Sequence, residues 1–285
     1  MQSPVETIIP SSKHTLQDPQ RVVSAMSILE VDQLTAHYDG IVALDNVSFS
    51  FPLGERIAVV GPNGAGKSTL FKAMAGLLTP TRGTVRIAGH PLRRSTDIAH
   101  IPQRSVVDWT FPVSVADVVM MGRTRKLGLL RWPRARDREV VQNSLAMVHM
   151  TDLAKRQIGE LSGGQQQRVF IARALAQEAT LMLMDEPLTG LDITSQEEIL
   201  TIIAELKDRG VTVLVATHDL NQAADSQHYE AVVLLNKELV GVGKAQDVLT
   251  PERLTRAYGG QLRWITTNQG TMILADSCCG HGNHH

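Results

Sequence analysis

The sequence contains few cysteines, has no excess of either sign of charge and includes no long apolar run. Its two cysteines are adjacent, at Cys278 and Cys279, so the pattern of a disulfide-stabilised protein is absent. Lys and Arg number 28 against 29 Asp and Glu, which gives no support for a chain-wide basic surface that binds nucleic acid. No apolar stretch approaches the roughly 18 residues that a membrane span needs, and residues 1–27 lack the apolar core of a signal peptide. We therefore expect a cytosolic protein of 285 residues, folded as one large domain or two modest ones.

A glycine-rich loop at residues 61–69 matches the phosphate-binding pattern G-x-x-x-x-G-K-[ST]. It lies between a predicted buried strand, Arg56–Val60, and a predicted helix at residues 69–75. Its glycines let successive backbone N–H groups point into one hollow, and the start of the helix adds a positive field. The loop is formed by Gly61, Pro62, Asn63, Gly64, Ala65, Gly66, Lys67, Ser68 and Thr69.

Two side chains of this loop have predicted roles with a nucleoside triphosphate. Lys67 can reach the β- and γ-phosphates, and the Ser68 hydroxyl can bind Mg²⁺. The alternative, a turn that only joins a strand to a helix, is disfavoured by the strand–loop–helix context. The chain is therefore predicted to bind a nucleoside triphosphate.

The order of strands and helices predicts an α/β fold with a mostly parallel sheet. Two or three antiparallel strands are expected before the loop, including residues 28–31 and the alternating segment 47–51. Later strands, at 181–184 and 211–215, flank a helix at 194–207 that residues 194–197 would open as a capping box. Residues 104–160 read as an inserted helical subdomain. Alternation of strands and helices favours a sheet covered on both faces.

Two carboxylates follow the apolar strand 181–184. We expect Asp185 to lie at the carboxyl edge of the sheet beside the loop, where it can hold magnesium. Glu186 is the better candidate for orienting or activating the attacking water. The alternative is a pair of exposed acids at the end of a strand.

A second predicted anion-binding helix start lies at residues 161–168. Ser162, Gly163, Gly164 and Gln165 precede or open a helix that is expected to run to residue 176. A single nucleotide does not require two such sites in one chain. We therefore expect this second site to complete the pocket of another copy of the chain.

These motifs and a later histidine, His218, together resemble an ATP-binding-cassette (ABC) ATPase over about residues 28–260. The resemblance implies a RecA-like P-loop core, an N-terminal antiparallel β subdomain, an inserted helical subdomain, and ATP with Mg²⁺ as cofactors. It also implies a homodimer in which residues 162–165 bind the γ-phosphate of the partner's ATP. Further implied roles are adenine stacking by Tyr38, magnesium and γ-phosphate sensing by Gln103, a dimer-seam position for Asp192, and γ-phosphate contact by His218.

Taken singly, four of these residues have simpler interpretations. Tyr38 could be a half-buried aromatic residue, and Gln103 a plain loop amide. Asp192 could cap the next helix, and His218 could be a core histidine with both nitrogens hydrogen-bonded. The order and spacing of the whole set favour the functional interpretation.

The loop at residues 103–112 is similar to the corresponding loop of ATPases in manganese, zinc and iron-type metal importers. Its aromatic residues, Trp109 and Phe111, suit it for docking a partner helix, although local packing could also explain them. The resemblance thus implies a peripheral subunit on the cytoplasmic side of the membrane that energises metal-ion import. Its implied partners are integral membrane permease subunits and a separate substrate-binding protein.

Other functions remain as alternatives. One is an ABC transporter ATPase for another substrate. A soluble cassette ATPase of translation or DNA repair is disfavoured, because the chain has one cassette and no sustained heptads. A binding module without turnover is disfavoured because both Glu186 and His218 are present.

Three further segments carry open interpretations. Residues 1–26 are predicted to be a disordered extension before a 27–260 ATPase domain. Residues 123–136 carry six basic side chains and no acid, which could face anionic lipid headgroups or simply form a solvated face. The tail at 261–285 ends in a cluster of Cys and His that could bind metal or be disordered.

Overall fold

A computed structural model describes residues 27–38, 40–52, 54–87, 89–91, 98–128, 132–259, 262–267 and 270–275. The predicted extension at 1–26 and the Cys/His cluster at 276–285 lie outside these residues. The strands, in chain order, are β1 (Ser27–Tyr38), β2 (Ile41–Pro52), β3 (Arg56–Val60), β4 (Arg82–Ile87), β5 (His90–Pro91), β6 (Ile98–Ile101), β7 (Leu181–Asp185), β8 (Thr212–Thr217), β9 (Ala231–Asn236), β10 (Glu238–Gly243), β11 (Leu262–Thr267) and β12 (Gly270–Ala275). The α-helices are α1 (Lys67–Met74), α2 (Val115–Met121), α3 (Thr124–Leu127), α4 (Ala135–Met147), α5 (Gly163–Ala176), α6 (Ile193–Asp208), α7 (Leu220–Ala224), α8 (Ala245–Val248) and α9 (Pro251–Tyr258).

An antiparallel sheet has the strand order β2-β1-β4-β5. Alternation in β2 buries Val47, Phe49 and Phe51 and exposes the serines between them, as the sequence pattern predicts. The sheet does not come only from residues before the loop, because β4 pairs with β1 from the far side of α1. The prediction of an antiparallel subdomain is therefore confirmed. The subdomain extends further along the chain than predicted, because it also includes strands that follow α1.

The main sheet has the order β10-β9-β3-β8-β7-β6, with parallel pairing throughout except between β9 and β10. β3 is buried along its whole length. Ile57 and Val59 pack into a core shared with the antiparallel sheet and α1, whereas Ala58 and Val60 pack into a core shared with the helical side. Burial on both faces explains why this strand reads as a continuous apolar run.

The helical segment between β6 and β7 contains α2 to α5. One face of α4 is buried at Val141 and Leu145, four residues apart on the helix. The predicted capping box at residues 194–197 is wrong, because α6 begins earlier. Asp192 is its N-cap and its carboxylate accepts a hydrogen bond from the Ser195 backbone N–H at 2.9 Å.

After β8 the chain forms the hairpin β9–β10 and the helix α9. β11 and β12 form a second antiparallel hairpin, in the stretch that the sequence assigned to the tail. The division at residue 260 stays a prediction. Of the helices within the described ranges, none has the length and apolar character to cross a lipid bilayer.

Candidate functional site

The glycine-rich loop is held by close backbone contacts at both of its ends. A Cβ atom at Gly61 would lie 2.0 Å from the Leu235 carbonyl oxygen, and one at Gly66 would lie 2.4 Å from the Ala43 carbonyl oxygen. Gly66 is also the N-cap of α1, with a φ of 95° in the left-handed region. The loop therefore requires glycine at both positions for space, and at Gly66 also for backbone conformation.

Lys67 is buried at the centre of this loop, with 7% of its surface exposed. Its Nζ donates hydrogen bonds to the carbonyl oxygens of Gly61 at 2.7 Å and Pro62 at 3.1 Å. Burial lowers the pKa of Lys67, and the nearby carboxylates of Glu186 and Asp185 partly offset that effect. A desolvated ammonium in a ring of backbone groups is suited to bind an anion.

A cavity of about 620 Å³ opens beside the loop, and its wall includes Tyr38, Ile41, Val42, Asn63 and Glu186. Its volume falls in the range of small-molecule sites, about 300–1,000 Å³. Tyr38 is 54% exposed, so about half of its surface faces this cavity or solvent, and the simpler interpretation as a half-buried aromatic residue stays open. Ile41 and Val42, which the sequence patterns did not single out, add an exposed apolar surface beside its ring.

The two carboxylates at the end of β7 are shielded from solvent. Asp185 is 8% exposed and the Glu186 side chain 17% exposed, so the alternative of two exposed acids is wrong. Glu186 has a φ of 49°, and its backbone N–H donates to the Ala216 carbonyl oxygen at 3.0 Å. Such a conformation in a non-glycine residue costs about 1–3 kcal/mol and persists where the surroundings impose it.

Three side chains from separate segments converge on Oε2 of Glu186. Gln103 Nε2 and Thr189 Oγ1 each donate to this oxygen at 3.2 Å, and His218 Nδ1 lies 3.7 Å from it. Gln103 is thus more than a plain loop amide, and His218, whose side chain is 57% exposed, is not a core histidine. Among the residues that the structure describes, none donates to Oε1 of Glu186. The sequence patterns did not single out Thr189. Its position three residues after Glu186, in a turn, would have been a reason to predict a hydrogen bond between the two side chains.

The second predicted anion site is a well-formed helix start. Ser162 caps α5: its hydroxyl accepts from the Gln165 backbone N–H at 3.3 Å, and its own N–H donates to Gln165 Oε1 at 3.0 Å. A Cβ atom at Gly163 would lie 2.7 Å from Arg104 Nη1, and one at Gly164 would lie 2.4 Å from Ser195 Oγ. The two glycines therefore let this helix start pack against its neighbours.

This helix start does not contribute to the cavity around Lys67. Within the described ranges, the lining of that cavity includes neither residues 162–165 nor Asp192. Ser162 and Asp192 are exposed, and Ile193 is 75% exposed beside them. The alternative role of Asp192 as a helix cap is confirmed, and hydrogen bonds from the backbone and hydroxyl of Ser195 lower the pKa of its carboxyl.

The aromatic residues of loop 103–112 divide between two roles. Trp109 packs edge-on against Phe170, with ring centroids 5.1 Å apart, and its Nε1 donates to the Arg104 carbonyl oxygen at 3.1 Å. Local packing therefore accounts for Trp109. Phe111 is 59% exposed and Val106 is 70% exposed, so this loop presents apolar side chains to solvent.

The basic run at residues 123–136 is not uniformly solvated. Arg123 is 4% exposed and forms ion pairs with Asp137 at 3.1 Å and Glu178 at 2.5 Å. Both interpretations of this run are therefore wrong for Arg123, which ties α4 to the end of α5. The other basic residues of the run are more exposed where the structure describes them.

The residues around the loop fit a magnesium ion that is held partly by a nucleotide. Within the described part of the chain, no group of three or more His, Cys, Asp or Glu side chains could hold a metal ion by itself. Ser68 lines the cavity, and the shielded Asp185 lies close enough to Lys67 for their charges to interact, so both would offer oxygen ligands beside bound phosphates. Magnesium commonly binds through one or two protein oxygens together with substrate phosphates.

Comparisons with known proteins agree with this geometry. A family model described as ABC transporter matches residues 44–189. The chain is 45% identical over 248 residues to the manganese transport system ATP-binding protein MntB of Halalkalibacterium halodurans, covering 87% of this chain and 98% of that protein. It is 44% identical to the zinc transport system ATP-binding protein TroB of Treponema pallidum, covering 82% and 88%. Among solved structures, a metal-chelate type ABC transporter in an inward-facing conformation is similar, with a TM-score of 0.74, 30% identity, and coverage of 87% of this chain and 96% of that one.

Proposed function

This chain belongs to the ABC transporter family, and from that premise we propose that it is the ATP-hydrolysing subunit of a metal-ion importer. The ion would be a divalent manganese, zinc or iron ion, carried through separate membrane permease subunits. The proposal that the chain hydrolyses ATP rests on one observation. Gln103, Thr189 and His218 converge on Glu186, beside the loop that contains Lys67. The likeness to manganese and zinc transport proteins over more than four-fifths of the chain supports the substrate class.

ATP would lie in the cavity beside the loop. Its phosphates would lie against the glycine-rich loop beside Lys67, and its adenine would stack on Tyr38. Ser68, Asp185 and Gln103 would hold Mg²⁺, which when bound neutralises charge on the β- and γ-phosphates. The chain's own contribution is to place the phosphates and to exclude water around a buried cation.

Glu186 would orient and activate the attacking water. Its Oε2 is occupied by donors from Gln103 and Thr189, which leaves Oε1 to accept from that water. Positioning of this kind and stabilisation of charge carry most of the rate in phosphoryl transfer. His218, whose Nδ1 lies 3.7 Å from Oε2 of the same carboxylate, would contact the γ-phosphate.

The catalytic unit would be a homodimer. The capped start of α5 is an exposed anion-binding helix terminus that does not line its own chain's nucleotide cavity. In a head-to-tail dimer, residues 162–165 of one chain would bind the γ-phosphate held by the other. Asp192 and the exposed Ile193 would then lie at the seam.

Permease subunits would bind on the face between the α/β core and the helical segment. A cavity of about 370 Å³ lies there, lined in part by Leu77 and Met121, which are 63% and 44% exposed. Exposed apolar side chains that line a concave surface are typical of protein docking sites. The chain would thus be peripheral on the cytoplasmic side of the membrane, with a separate substrate-binding protein on the other side.

Metal uptake into vesicles tests this proposal. The permease that co-purifies with the chain from detergent-solubilised membranes would be reconstituted with it, and uptake of Mn²⁺, Zn²⁺ and Fe²⁺ measured with ATP. We expect ATP-dependent uptake of at least one of these ions, and none with Glu186→Gln. Association with ribosomes or DNA and no permease would overturn the proposal in favour of a soluble cassette ATPase.

A further inference from the structure

A cleft of about 330 Å³ lies where the start of α4 meets the segment just after α5, and its described lining shares no residue with the cavity around Lys67. We call it the basic cleft. Four of its lining residues are cationic, one is an exposed tryptophan, and two are acidic. Its lining consists of Arg123, Lys126, Leu127, Trp132, Arg134, Arg136, Asp137 and Glu178.

Both acids of the basic cleft are already paired. Asp137 accepts from Arg123 at 3.1 Å and from the Arg134 backbone N–H at 3.0 Å. Glu178 accepts from Arg123 at 2.5 Å and from Lys126 at 2.6 Å. The hydrogen bonds from Lys126 and Arg123 hold the pKa of Glu178 at about 2, so this carboxyl stays ionised and committed to them.

Two cations of the basic cleft have no such partner. The guanidinium groups of Arg134 and Arg136 are exposed, and in the described part of the chain no carboxylate lies within ion-pair distance of either. Their positive charge is therefore available to an anion from outside the chain. The buried Arg123 pairs with both acids of the cleft, so these acids are not available to Arg134 and Arg136.

Trp132 gives the basic cleft its second character. It is 89% exposed, the highest value among the large apolar side chains whose burial is described. Exposure of an indole ring to water is energetically unfavourable, so a surface that contacts only solvent gives no reason for one. Indole rings flanked by Arg and Lys are typical of the headgroup layer of a bilayer, where the ring is half buried and the cations meet lipid phosphates.

We propose that the basic cleft, through Trp132, Arg134 and Arg136, binds the anionic lipid headgroups of the membrane in which the permease lies. This inference rests on the proposed function only for the presence of a membrane, because lipid binding needs neither nucleotide nor permease. Such a contact would orient the helical segment towards the bilayer. It would also add to the affinity of the subunit for the membrane.

Co-sedimentation of the full chain with vesicles tests the proposal. Vesicles that contain phosphatidylglycerol should bind the chain, and vesicles of phosphatidylcholine alone should bind it far less. The double variant Arg134→Gln/Arg136→Gln should bind about 30-fold more weakly, the effect expected for two basic side chains at an anionic surface. A matched control, Arg209→Gln/Lys244→Gln, removes two exposed cations outside the cleft and should bind as the wild type does.

A second readout concerns the indole. Anionic vesicles should shift the tryptophan emission to shorter wavelength in the wild type, and Trp132→Phe should abolish that shift. Retained ATPase activity in each variant shows that it is folded, and failure of metal transport alone would not bear on this binding.

Several outcomes would overturn the proposal. They are no binding to anionic vesicles, equal losses in the cleft and control variants, and full competition by inorganic phosphate at matched ionic strength, which would indicate a site for free phosphate. Loss of permease co-purification in the cleft variant with unchanged vesicle binding would assign the cleft to a protein contact instead.

Discussion

The ion pair at the start of the central strand gives a stability prediction that can be worked through. Oε2 of Glu230 accepts from the Arg56 backbone N–H at 2.7 Å, and Oε1 accepts from Arg56 Nη2 at 2.5 Å and from Lys207 Nζ at 2.9 Å. The Arg56 side chain is 9% exposed and the Glu230 side chain 25% exposed. Glu230→Gln keeps the shape of the side chain but leaves a nearly buried guanidinium without its counter-charge.

The magnitude follows from the pKa of Glu230. Burial raises that pKa, but hydrogen bonds from Arg56 and Lys207 outweigh burial and lower it from 4.5 to about 2. A lowering of this size corresponds to about 3 kcal/mol of folding free energy. Because solvent screens the exposed quarter of the side chain, we expect Glu230→Gln to lower the free energy of unfolding by about 2 kcal/mol near neutral pH.

The same linkage fixes the pH dependence. The folded-state pKa lies below the unfolded value, so the stabilisation is present above about pH 4.5 and disappears as the pH falls towards 2. The difference between wild type and Glu230→Gln should therefore shrink through this window. Glu178, whose pKa is also held at about 2, is present in both proteins and cancels in the difference.

Urea unfolding followed by circular dichroism, at several pH values from neutral to acid, measures these quantities. Glu238→Gln is the matched control, because its pair with Arg256 is 61% exposed on the glutamate side and should be worth less than about 1 kcal/mol. A loss as small as that of the control, or a difference that does not change with pH, would refute this reasoning.

The remaining predictions concern the site. Glu186→Gln should bind ATP, form a stable dimer in gel filtration and hydrolyse ATP about 10²–10⁴-fold more slowly; a monomer with normal turnover would contradict its role. Thr189→Val removes one 3.2 Å donor to Glu186 and should lower kcat about fivefold with little change in KM, since such a bond is worth about 1 kcal/mol; an unchanged kcat would exclude this positioning role. Gly66→Ala should abolish ATP binding in calorimetry, because its Cβ would meet a carbonyl oxygen at 2.4 Å. Gly64→Ala is the control: nothing lies within 4 Å of its Cβ, so it should weaken binding only through backbone strain of about 1–2 kcal/mol. Equal effects of the two variants would show that space is not decisive. Ser162→Arg should retain ATP binding and lose turnover, and tight binding with full turnover would refute the composite site.

The sequence alone predicts the parts of the site that depend on short spacing. The strand Arg56–Val60, its loop and the following helix are confirmed. Each depends on neighbouring residues, so local periodicity and turn chemistry are sufficient to predict it. The start of α6 was mispredicted because two capping candidates lie two residues apart, and the hydrogen bond that Asp192 makes decided between them.

Only the tertiary structure decided how these parts meet. Strand order places β6, β7 and β8 side by side, and that order brings Gln103 and His218 to Glu186 from 83 and 32 positions away in the chain. It also determined that Thr189 joins them, that Tyr38 faces the cavity, and that Arg123 is buried while Trp132 is exposed. These outcomes depend on packing and ion pairs between distant segments, whose free energies are comparable with the net stability of a fold, about 5–15 kcal/mol. Local patterns thus determined the phosphate loop and the fold class of the protein, whereas contacts across the sheet decided which residues surround that loop.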